Sequence, residues 1–251
     1  MRQELAWMLR NAGRQSRGIP QSWRNNLTQW KKFWRSYRQY CQMTPVDARP
    51  LLEDLFPCLG DDTNETPIEP TYFYQDNWAF EKIIKVRPPH HVDVGSHHKF
   101  VALLSKVVPV TMVDTRPLSL KLDSLCFREG SILDLPFPDG SVVSASSLCV
   151  VEHIGLGRYG DPLDPDGSEK AIAELGRIMA PGAHLYFSVP IGDRNLTAFN
   201  AGRVFTMKYL QEIIKPLVIS EQRFIVGDTY QDSYAPHGVF GTTGLFELIK
   251  P

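Results

Sequence analysis

A glycine and an aspartate nineteen residues apart are the residues whose types and spacing first indicate chemistry. The apolar run His91–Val94 stops at Gly95, and a second predicted strand, Val110–Val113, stops at Asp114. In an open α/β sheet, ligands bind at the carboxyl ends of the strands, where such an acid can bind the two hydroxyls of a ribose. The turn after Gly95 has no second glycine for the close approach of a pyrophosphate, which favours a nucleoside ligand over a dinucleotide.

A second group of candidates follows the predicted strand Val142–Val151. The imidazole of His153 titrates near neutral pH, so His153 is a candidate general base for an alcohol acceptor. Asp161 and Asp164 are the next candidates for the same proton, in a loop at 155–167 that is rich in Gly, Asp and Pro. Such loops often contact substrates. The alternatives are a hydrogen-bonded packing histidine and a solvated connection.

Several polar side chains are positioned to bind a polar or anionic acceptor, with ordinary surface charge as the alternative. They are Arg158, Tyr159, Asp193, Arg194, Asn200 and Arg203. The histidine pairs at 90–91 and 97–98 do not have the spacing of a known zinc site, and neighbouring residues on a strand point to opposite faces. We therefore expect no metal.

The segments that must position these residues alternate between helix and strand from residue 80 onward. Predicted helices cover 80–86, 101–107, 168–179 and 207–214, and predicted strands cover 91–94, 110–113, 125–128, 142–151, 184–189, 217–226 and 239–249. Alternating strands and helices imply parallel βαβ units. The last two strands, with only a loop between them, imply an antiparallel edge. The predicted fold is a Rossmann-like, doubly wound, mostly parallel sheet with an antiparallel edge strand and an N-terminal helical extension.

The N-terminal extension is basic and aromatic. Residues 1–49 carry a net charge of +8, which leaves −9 for the remainder. Ser22 can cap a helix that begins near Trp23. One apolar stripe of this helix is predicted to contain Trp23, Leu27, Trp30, Trp34, Tyr37 and Cys41. The helix packs on its own core, rests on an anionic membrane surface or a partner protein through residues 22–41, or contacts nucleic acid.

Residues 44–79 contain five prolines, which predicts a connector without long helices or central strands. The predicted division is therefore an arm and connector over 1–79 and one domain over 80–251. The net charge of −1 provides no general attraction to nucleic acid or membranes. Four scattered cysteines indicate free thiols in a reducing compartment. With no apolar signal or membrane-spanning run, we expect a cytoplasmic protein, with peripheral attachment to the inner face of the membrane as a variant.

Three strings around the later strands carry a family resemblance. LPFPDGS, VEHI and MAPGAHLYFSVP, in this order, resemble the motifs of class I S-adenosylmethionine-dependent methyltransferases, over roughly residues 85–250. The longer string EHIGLGRYGDPLDPDG resembles an uncharacterised branch of that superfamily, a domain family of unknown function, some of whose members are associated with bacterial surface polysaccharides.

The resemblance implies that the cofactor is S-adenosylmethionine. It places Asp93, Gly95 and Ser96 at the methionine end, Asp114 at the ribose, Ser131 and Ile132 beside the adenine, and Ser147 and Leu148 on the pocket floor. His97 stands where the family usually has a small residue. Ser131 stands where an acid usually recognises the adenine amino group.

The predicted reaction is methyl transfer to a hydroxyl of a sugar or glycan precursor, in polysaccharide biosynthesis. One alternative is a catalytically silent binding module that recruits partners through the N-terminal arm. Another is a nucleic-acid methyltransferase, which is disfavoured by the acidic core. It is also disfavoured because residues 146–149, after the fourth strand, read SSLC and not NPPY.

Overall fold

The structure, a computed structural model, describes residues 23–235 and 237–251, with side chains from residue 27 onward. The chain divides into two compact units, residues 1–67 and 68–251. The described residues include no helix that is both long and apolar enough to span a membrane.

The first unit contains helix α1, Trp23–Met43, followed by short 3₁₀ turns at Val46–Ala48 and Leu52–Asp54. Trp34 is buried on the aromatic face of α1, with the Phe33 ring at 5.2 Å and the Tyr37 ring at 5.8 Å. The Tyr37 hydroxyl donates to the carbonyl of Pro50 at 3.0 Å. The amphipathic helix is confirmed, but Leu27 of the predicted stripe is 60% exposed. The predicted cap, Ser22, and the side chain of Trp23 lie outside the described residues.

The second unit begins with helix α2, Pro70–Val86. The Glu69 side chain caps this helix by accepting the backbone N–H of Tyr72 at 2.7 Å. The prediction that this helix starts at residue 80 is wrong, because Pro70 occupies the first helical turn, where its missing N–H and fixed φ are favourable. The predicted division at 79/80 falls inside α2.

The described residues of this unit also form ten strands and three further α-helices. The strands are β1 His91–Val94, β2 Val110–Asp114, β3 Leu125–Glu129, β4 Val142–Leu148, β5 Met179–Pro190, β6 Leu196–Ala198, β7 Gly202–Val204, β8 Val218–Val226, β9 Thr229–Gln231 and β10 Thr242–Ile249. The helices are α3 His98–Leu104, α4 Gly167–Ile178 and α5 Met207–Ile213.

The main sheet has the order β3-β2-β1-β4-β5-β10-β8-β9, with β6 and β7 forming a separate hairpin. Strands β1 to β5 are parallel, and β10 is antiparallel to both β5 and β8. The predicted fold class is therefore confirmed. The strand order reverses between β1 and β4, so the ligand crevice of such a sheet lies at their carboxyl ends.

Helices cover both faces of this sheet. Leu175 of α4 and Leu210 of α5 belong to the same buried cluster as Phe187 of β5. Ile83 of α2 and Leu104 of α3 join the neighbouring strand residue, Tyr186, in the other cluster. Successive residues of a strand point to opposite faces, which is why Tyr186 and Phe187 separate the two clusters.

The largest difference from the predicted strands is the start of β5. The strand begins at Met179, five residues before the predicted start, and contains Pro181 and Gly182. Its pairing with β4 shifts register between Val142 and Ser144, which places the additional residues outside the regular ladder. The hairpin β6–β7 and the short strand β9 were not predicted.

Candidate functional site

The turn after β1 requires glycine. Gly95 has φ +73°, a conformation that L side chains rarely adopt, and its N–H donates to the carbonyl of Val113 at 3.0 Å. A Cβ at this position would lie 3.0 Å from Cγ1 of Val150. The backbone of the turn is thereby held against the segment that leaves β4.

A buried hydrogen-bond network supports this turn. One carboxylate oxygen of Asp93 accepts the N–H of Ser96 at 3.1 Å, and the other accepts the hydroxyl of Ser146 at 2.6 Å. The hydroxyl of Ser96 accepts the N–H of Leu148 at 3.1 Å, and the hydroxyl of Ser147 donates to the carbonyl of β1 at 3.1 Å. Burial raises the pKa of Asp93 to about 6. These residues fix the carboxyl ends of β1 and β4 relative to each other.

His91 extends the same network away from the turn. Its Nε2 lies 2.9 Å from the hydroxyl of Ser146 and its Nδ1 lies 2.8 Å from the hydroxyl of Ser144. Because the Ser146 hydroxyl donates to Asp93, Nε2 of His91 is the donor and Nδ1 the acceptor. Burial lowers the pKa of His91 to about 3, so it is a neutral packing histidine. Among the described residues, no group of three or more His, Cys, Asp or Glu could hold a metal ion.

Asp114 lies at the end of β2 with its side chain 15% exposed. Its Oδ1 accepts the N–H of Arg116 at 2.8 Å, whereas its Oδ2 has no hydrogen-bond partner among the described residues. An ionised carboxylate oxygen at a strand end can accept hydroxyl groups of a ligand. The position and the open oxygen both fit a ribose.

The residues predicted at the adenine lie after β3. The hydroxyl of Ser131 accepts the N–H of Leu133 at 3.1 Å, which closes a local turn. Ile132 is buried in the cluster on the α4 side of the sheet, and Leu148 is buried in the cluster on the α2 side. Ile132 and Leu148 can therefore contact a ligand through their backbone atoms, and Ser131 can do so at the edge of its turn.

Helix α2 contributes polar groups that the sequence analysis missed. Gln75 is fully buried, and its Oε1 accepts the hydroxyl of Ser188 at 2.9 Å. Its Nε2 and the Oδ1 of Asp76 are buried without hydrogen-bond partners in the described structure. Burial, together with the negative charge of Asp93, raises the pKa of Asp76 to about 7, and the neighbouring side chain of Gln75 opposes this rise. Unsatisfied buried polar atoms are rare in proteins, and a bound water, an ion or a functional role can account for them. The helical period from Pro70 was the available signal.

The segment after β4 forms a 3₁₀ turn, Val151–His153. Nδ1 of His153 lies 3.3 Å from Nη1 of Arg158, and its ring lies 5.7 Å from the ring of Tyr159. Burial and the charge of Arg158 lower the pKa of His153. The imidazole is therefore neutral at physiological pH, as a general base must be before it takes a proton.

The acids of the loop 155–167 are occupied by the loop itself. Asp161 accepts the N–H groups of Gly155 and Tyr159 at 2.6 and 3.2 Å. Asp164 accepts Lys170 at 2.6 Å and the N–H of Asp166 at 3.0 Å. Both carboxylates therefore hold the loop and the start of α4 in place.

The predicted substrate contact Arg203 is buried and hydrogen-bonded within the protein. Its guanidinium is buried and donates to the carbonyls of Ile154, Asp164 and Pro165 at 2.5 to 3.1 Å and to the hydroxyl of Ser168 at 2.9 Å. Every one of these acceptors belongs to the loop after His153 or to its anchor on α4. Arg203 therefore ties this loop to β7, and its guanidinium is engaged by the protein.

This chain is similar to one family model and to solved structures of the same fold. Residues 139–217 match the model of a family described as Caenorhabditis protein of unknown function, DUF268. The structure of the N-methyltransferase NodS from Bradyrhizobium japonicum WM9, in complex with S-adenosyl-L-homocysteine, matches with a TM-score of 0.55 and 15% identity, over 73% of this chain and 89% of that one. The [4+2]-cyclase SpnF matches with a TM-score of 0.50 and 13% identity, over 70% and 81% of the two chains. No curated protein matches the sequence.

The fold is that of the class I S-adenosylmethionine-dependent methyltransferases.

Within this methyltransferase fold, the predicted site residues separate into two groups. Asp93, Gly95, Ser96 and Asp114 come together at the crevice between β1 and its neighbours. Beyond His153, Tyr159 lies against Arg116, whose guanidinium is 4.5 Å from the ring centroid. This contact brings the loop after β4 to the end of β2, two residues after Asp114.

The other predicted substrate residues lie farther along the chain. Asp193 accepts the hydroxyl of Tyr234 at 2.6 Å. Arg194 is exposed, and Asn200 is exposed at the tip of the β6–β7 hairpin with φ +64°. The adjacent Ala201 accepts Nη1 of Arg158 at 2.8 Å, so the hairpin tip meets the loop that carries Arg158 and Tyr159.

Proposed function

We propose that this protein binds S-adenosylmethionine and transfers its methyl group to a hydroxyl of a sugar or glycan precursor. The observation that carries the proposal is the open Oδ2 of Asp114 beside the Gly95 turn, at the point where the strand order reverses. The NodS structure, whose fold this chain shares, contains S-adenosyl-L-homocysteine.

The residues at the crevice fit the proposed cofactor at two of its ends. Asp114 suits the ribose hydroxyls. The unpartnered Nε2 of Gln75 and Oδ1 of Asp76 suit a carboxylate and an ammonium group, as at the methionine end. The glycine turn lets the ligand approach the backbone of β1. Ser131 lacks the carboxylate that would accept the adenine amino group, so the fit is strongest at the ribose and the methionine.

When bound, S-adenosylmethionine supplies an activated methyl group for in-line transfer to a nucleophile. The protein must then align the acceptor hydroxyl and remove its proton. His153 is neutral, partly exposed at its ring, and close to the exposed side chains of Arg158 and Tyr159. These groups, together with Arg194 and Asn200, offer hydrogen bonds suited to a polyhydroxylated acceptor.

The alternative function is a catalytically silent binding module. It can be distinguished from a methyltransferase by whether the protein binds S-adenosylhomocysteine and transfers methyl groups. We expect calorimetry to detect binding of S-adenosylhomocysteine, and we expect tritiated methyl groups to be transferred to a member of a panel of nucleotide sugars and glycans. Binding without transfer to any hydroxyl compound would remove the acceptor class and retain the cofactor. If the protein neither binds S-adenosylhomocysteine nor transfers a methyl group, a binding module that acts through α1 is favoured.

His153 provides the test of the base. His153→Ala should lower turnover by about 10²- to 10⁴-fold, the usual contribution of a positioned base, with unchanged affinity for S-adenosylhomocysteine. His98→Ala is the matched control, because His98 starts α3 and contacts the ring of His97. Equal losses in both variants would contradict the role of His153.

A further inference from the structure

Two arginines from separate segments of the chain meet at the ring of Tyr159. The guanidinium of Arg116, two residues after β2, lies 4.5 Å from the centroid of this ring. The guanidinium of Arg158, in the loop after β4, lies 5.1 Å from the same centroid. Both arginines are exposed, and Tyr159 is 41% exposed. Because two like charges at one ring repel each other, an anion bound there would be stabilised by both of them.

A tight turn holds Arg158 and Tyr159 in position. They are the two central residues of a β-turn, which the N–H of Gly160 closes on the carbonyl of Gly157 at 3.4 Å. The carboxylate of Asp161 accepts the N–H groups of Gly157 and Tyr159 at 3.4 and 3.2 Å. The backbone that presents the two side chains is therefore held by the protein itself, which lowers the entropic cost of binding a ligand there.

Each guanidinium has N–H groups that remain available. Nη1 of Arg158 donates to the carbonyl of Ala201 at 2.8 Å, whereas its Nε and Nη2 donate to no acceptor among the described residues. Nε of Arg116 lies 3.5 Å from Oδ1 of Asp114, and its side chain is 60% exposed. Neither Nη atom of Arg116 donates to an acceptor in the described part of the chain. A guanidinium with two free donors can bind a phosphate through two parallel hydrogen bonds.

The charge of Arg158 acts on the groups around it. Burial is the main influence on both of its titratable neighbours, raising the pKa of Glu152 to about 8 and lowering that of His153. The charge of Arg158 lowers the pKa of both groups as well. Over residues 23–235 and 237–251, no carboxylate oxygen lies within 4 Å of this guanidinium. Its charge is therefore available to an anionic ligand.

The proposed cofactor supplies no anion for this pair of arginines. S-adenosylmethionine has no phosphate, and its carboxylate belongs to the methionine end, which we assign to the polar groups of α2. Arg116 instead follows Asp114, the residue proposed to bind the ribose, and Arg158 lies beside His153, the candidate base. The pair therefore lies where the acceptor must approach.

We propose that Arg116 and Arg158 form a subsite for a phosphate group of the acceptor, so that the methylated compound is a phosphorylated sugar or glycan precursor. Two guanidinium charges suit a doubly charged phosphate better than a singly charged carboxylate. The inference rests on the proposed function, because it assigns the phosphate to the acceptor of methyl transfer.

The direct test is calorimetric titration of inorganic pyrophosphate into the full-length protein at low salt, with and without S-adenosylhomocysteine. We expect binding that weakens as salt is added, because the two charges are exposed. Arg116→Gln and Arg158→Gln should each weaken it by about tenfold or more, the effect of losing a hydrogen bond to a charged group. Arg128→Gln is the matched control and should bind as the wild type does. The Arg128 guanidinium also lies over a ring, 5.2 Å from that of Phe137, and also donates to a backbone carbonyl, that of Pro136 at 2.7 Å.

Competition experiments identify the class of anion. Glucose 1-phosphate should displace pyrophosphate, whereas glucose should not, and glucuronate should compete more weakly than glucose 1-phosphate. In the panel of nucleotide sugars and glycans, transfer of the tritiated methyl group should be confined to compounds that contain a phosphate.

No binding of pyrophosphate by the folded wild type would overturn the inference, as would an equal loss in Arg128→Gln or stronger competition by glucuronate than by glucose 1-phosphate. Arg116→Gln decides the point even if Arg158→Gln disturbs the loop through the lost contact with Ala201. Binding of S-adenosylhomocysteine, measured on the same samples, reports on the proposed function separately, since a protein that fails to bind it can still bind pyrophosphate.

Discussion

Beneath the Gly95 turn, both carboxylate oxygens of Asp93 are hydrogen-bonded to Ser96 and Ser146. At the end of β4, by contrast, the equally buried Glu152 has an oxygen without a partner, and the adjacent loop is tied down largely by Arg203. In the first region, the hydrogen bonds of the polar groups join β1 to β4. In the second region, a buried carboxyl oxygen has no hydrogen-bond partner among the described residues, and exposed side chains lie nearby. This is the pattern expected when one side of a crevice must be rigid and the other must receive variable acceptors.

The largest loss of stability should come from removing the contacts that hold the loop at 155–167. Arg203→Ala removes a buried guanidinium that serves four oxygen acceptors, so we expect the free energy of unfolding to fall by about 3 kcal/mol in urea titrations. Arg194→Ala, an exposed arginine two residues before β6, is the control and should change stability by less than about 0.5 kcal/mol. Similar losses in the two variants would mean that the loop is held in another way.

The pH dependence of stability distinguishes the two buried acids. Because burial raises the pKa of Glu152 to about 8, the folded state holds this proton more tightly than the unfolded chain. Its contribution is fully present below the ordinary glutamate pKa of about 4.3 and is lost as the pH rises towards 8, by at most about 1.4 kcal/mol per pH unit.

Glu152→Gln should therefore flatten the fall in unfolding free energy between about pH 5 and pH 8. Asp93→Asn should instead destabilise the protein most above about pH 6, where the carboxylate is ionised, because an amide cannot accept at both positions. Parallel pH curves for wild type and Glu152→Gln would show that Glu152 is ionised in the folded state.

A smaller loss of stability, together with a loss of ligand affinity, is expected at the Gly95 turn. Gly95→Ala forces a side chain into a positive-φ conformation, which costs about 1–2 kcal/mol, and places a Cβ 3.0 Å from Val150. Gly182→Ala is the matched control, with φ +75° and no atom within 4 Å of the added carbon. We expect both variants to lose stability in thermal unfolding, but only Gly95→Ala to lose affinity for S-adenosylhomocysteine.

The smallest effect on the crevice should come from the first compact unit. Removing residues 1–67 should leave the affinity for S-adenosylhomocysteine within about twofold, because the unit at 68–251 contains every proposed cofactor residue. We further propose that α1, with Lys31, Lys32, Arg35 and Arg38 exposed, binds an anionic membrane or an acidic partner. Sedimentation with anionic vesicles would detect the first of these, and no loss of binding on truncation would contradict it.

The parts of the fold predicted from sequence are those set by local apolar runs. Strands β1, β2 and β3 were placed within one residue, since each is a short apolar run between turn residues. The start of α2 was missed because Pro70 was interpreted as a breaker, although proline suits the first turn of a helix.

The site was harder to predict because its decisive contacts are distant in sequence. Arg203 is a surface residue by composition, and its burial depends on carbonyls 38 to 49 residues away. The position of Asp114 at the end of β2 could be predicted because both the strand end and the spacing from Gly95 are visible in the sequence. Glu152 was overlooked because nothing local shows that its carboxyl group is buried.

We propose that Asp114, at the end of β2, accepts hydrogen bonds from the ribose hydroxyls of an S-adenosyl ligand. Calorimetric titration of S-adenosylhomocysteine into the wild type, Asp114→Asn and Asp123→Asn tests it directly. Asp123 is an exposed aspartate before β3, at the opposite end of the parallel strands from Asp114. We predict binding by the wild type and Asp123→Asn, and a loss of roughly 1–3 kcal/mol of binding free energy in Asp114→Asn. Equal affinities for all three proteins, or no binding by the wild type, would contradict the account.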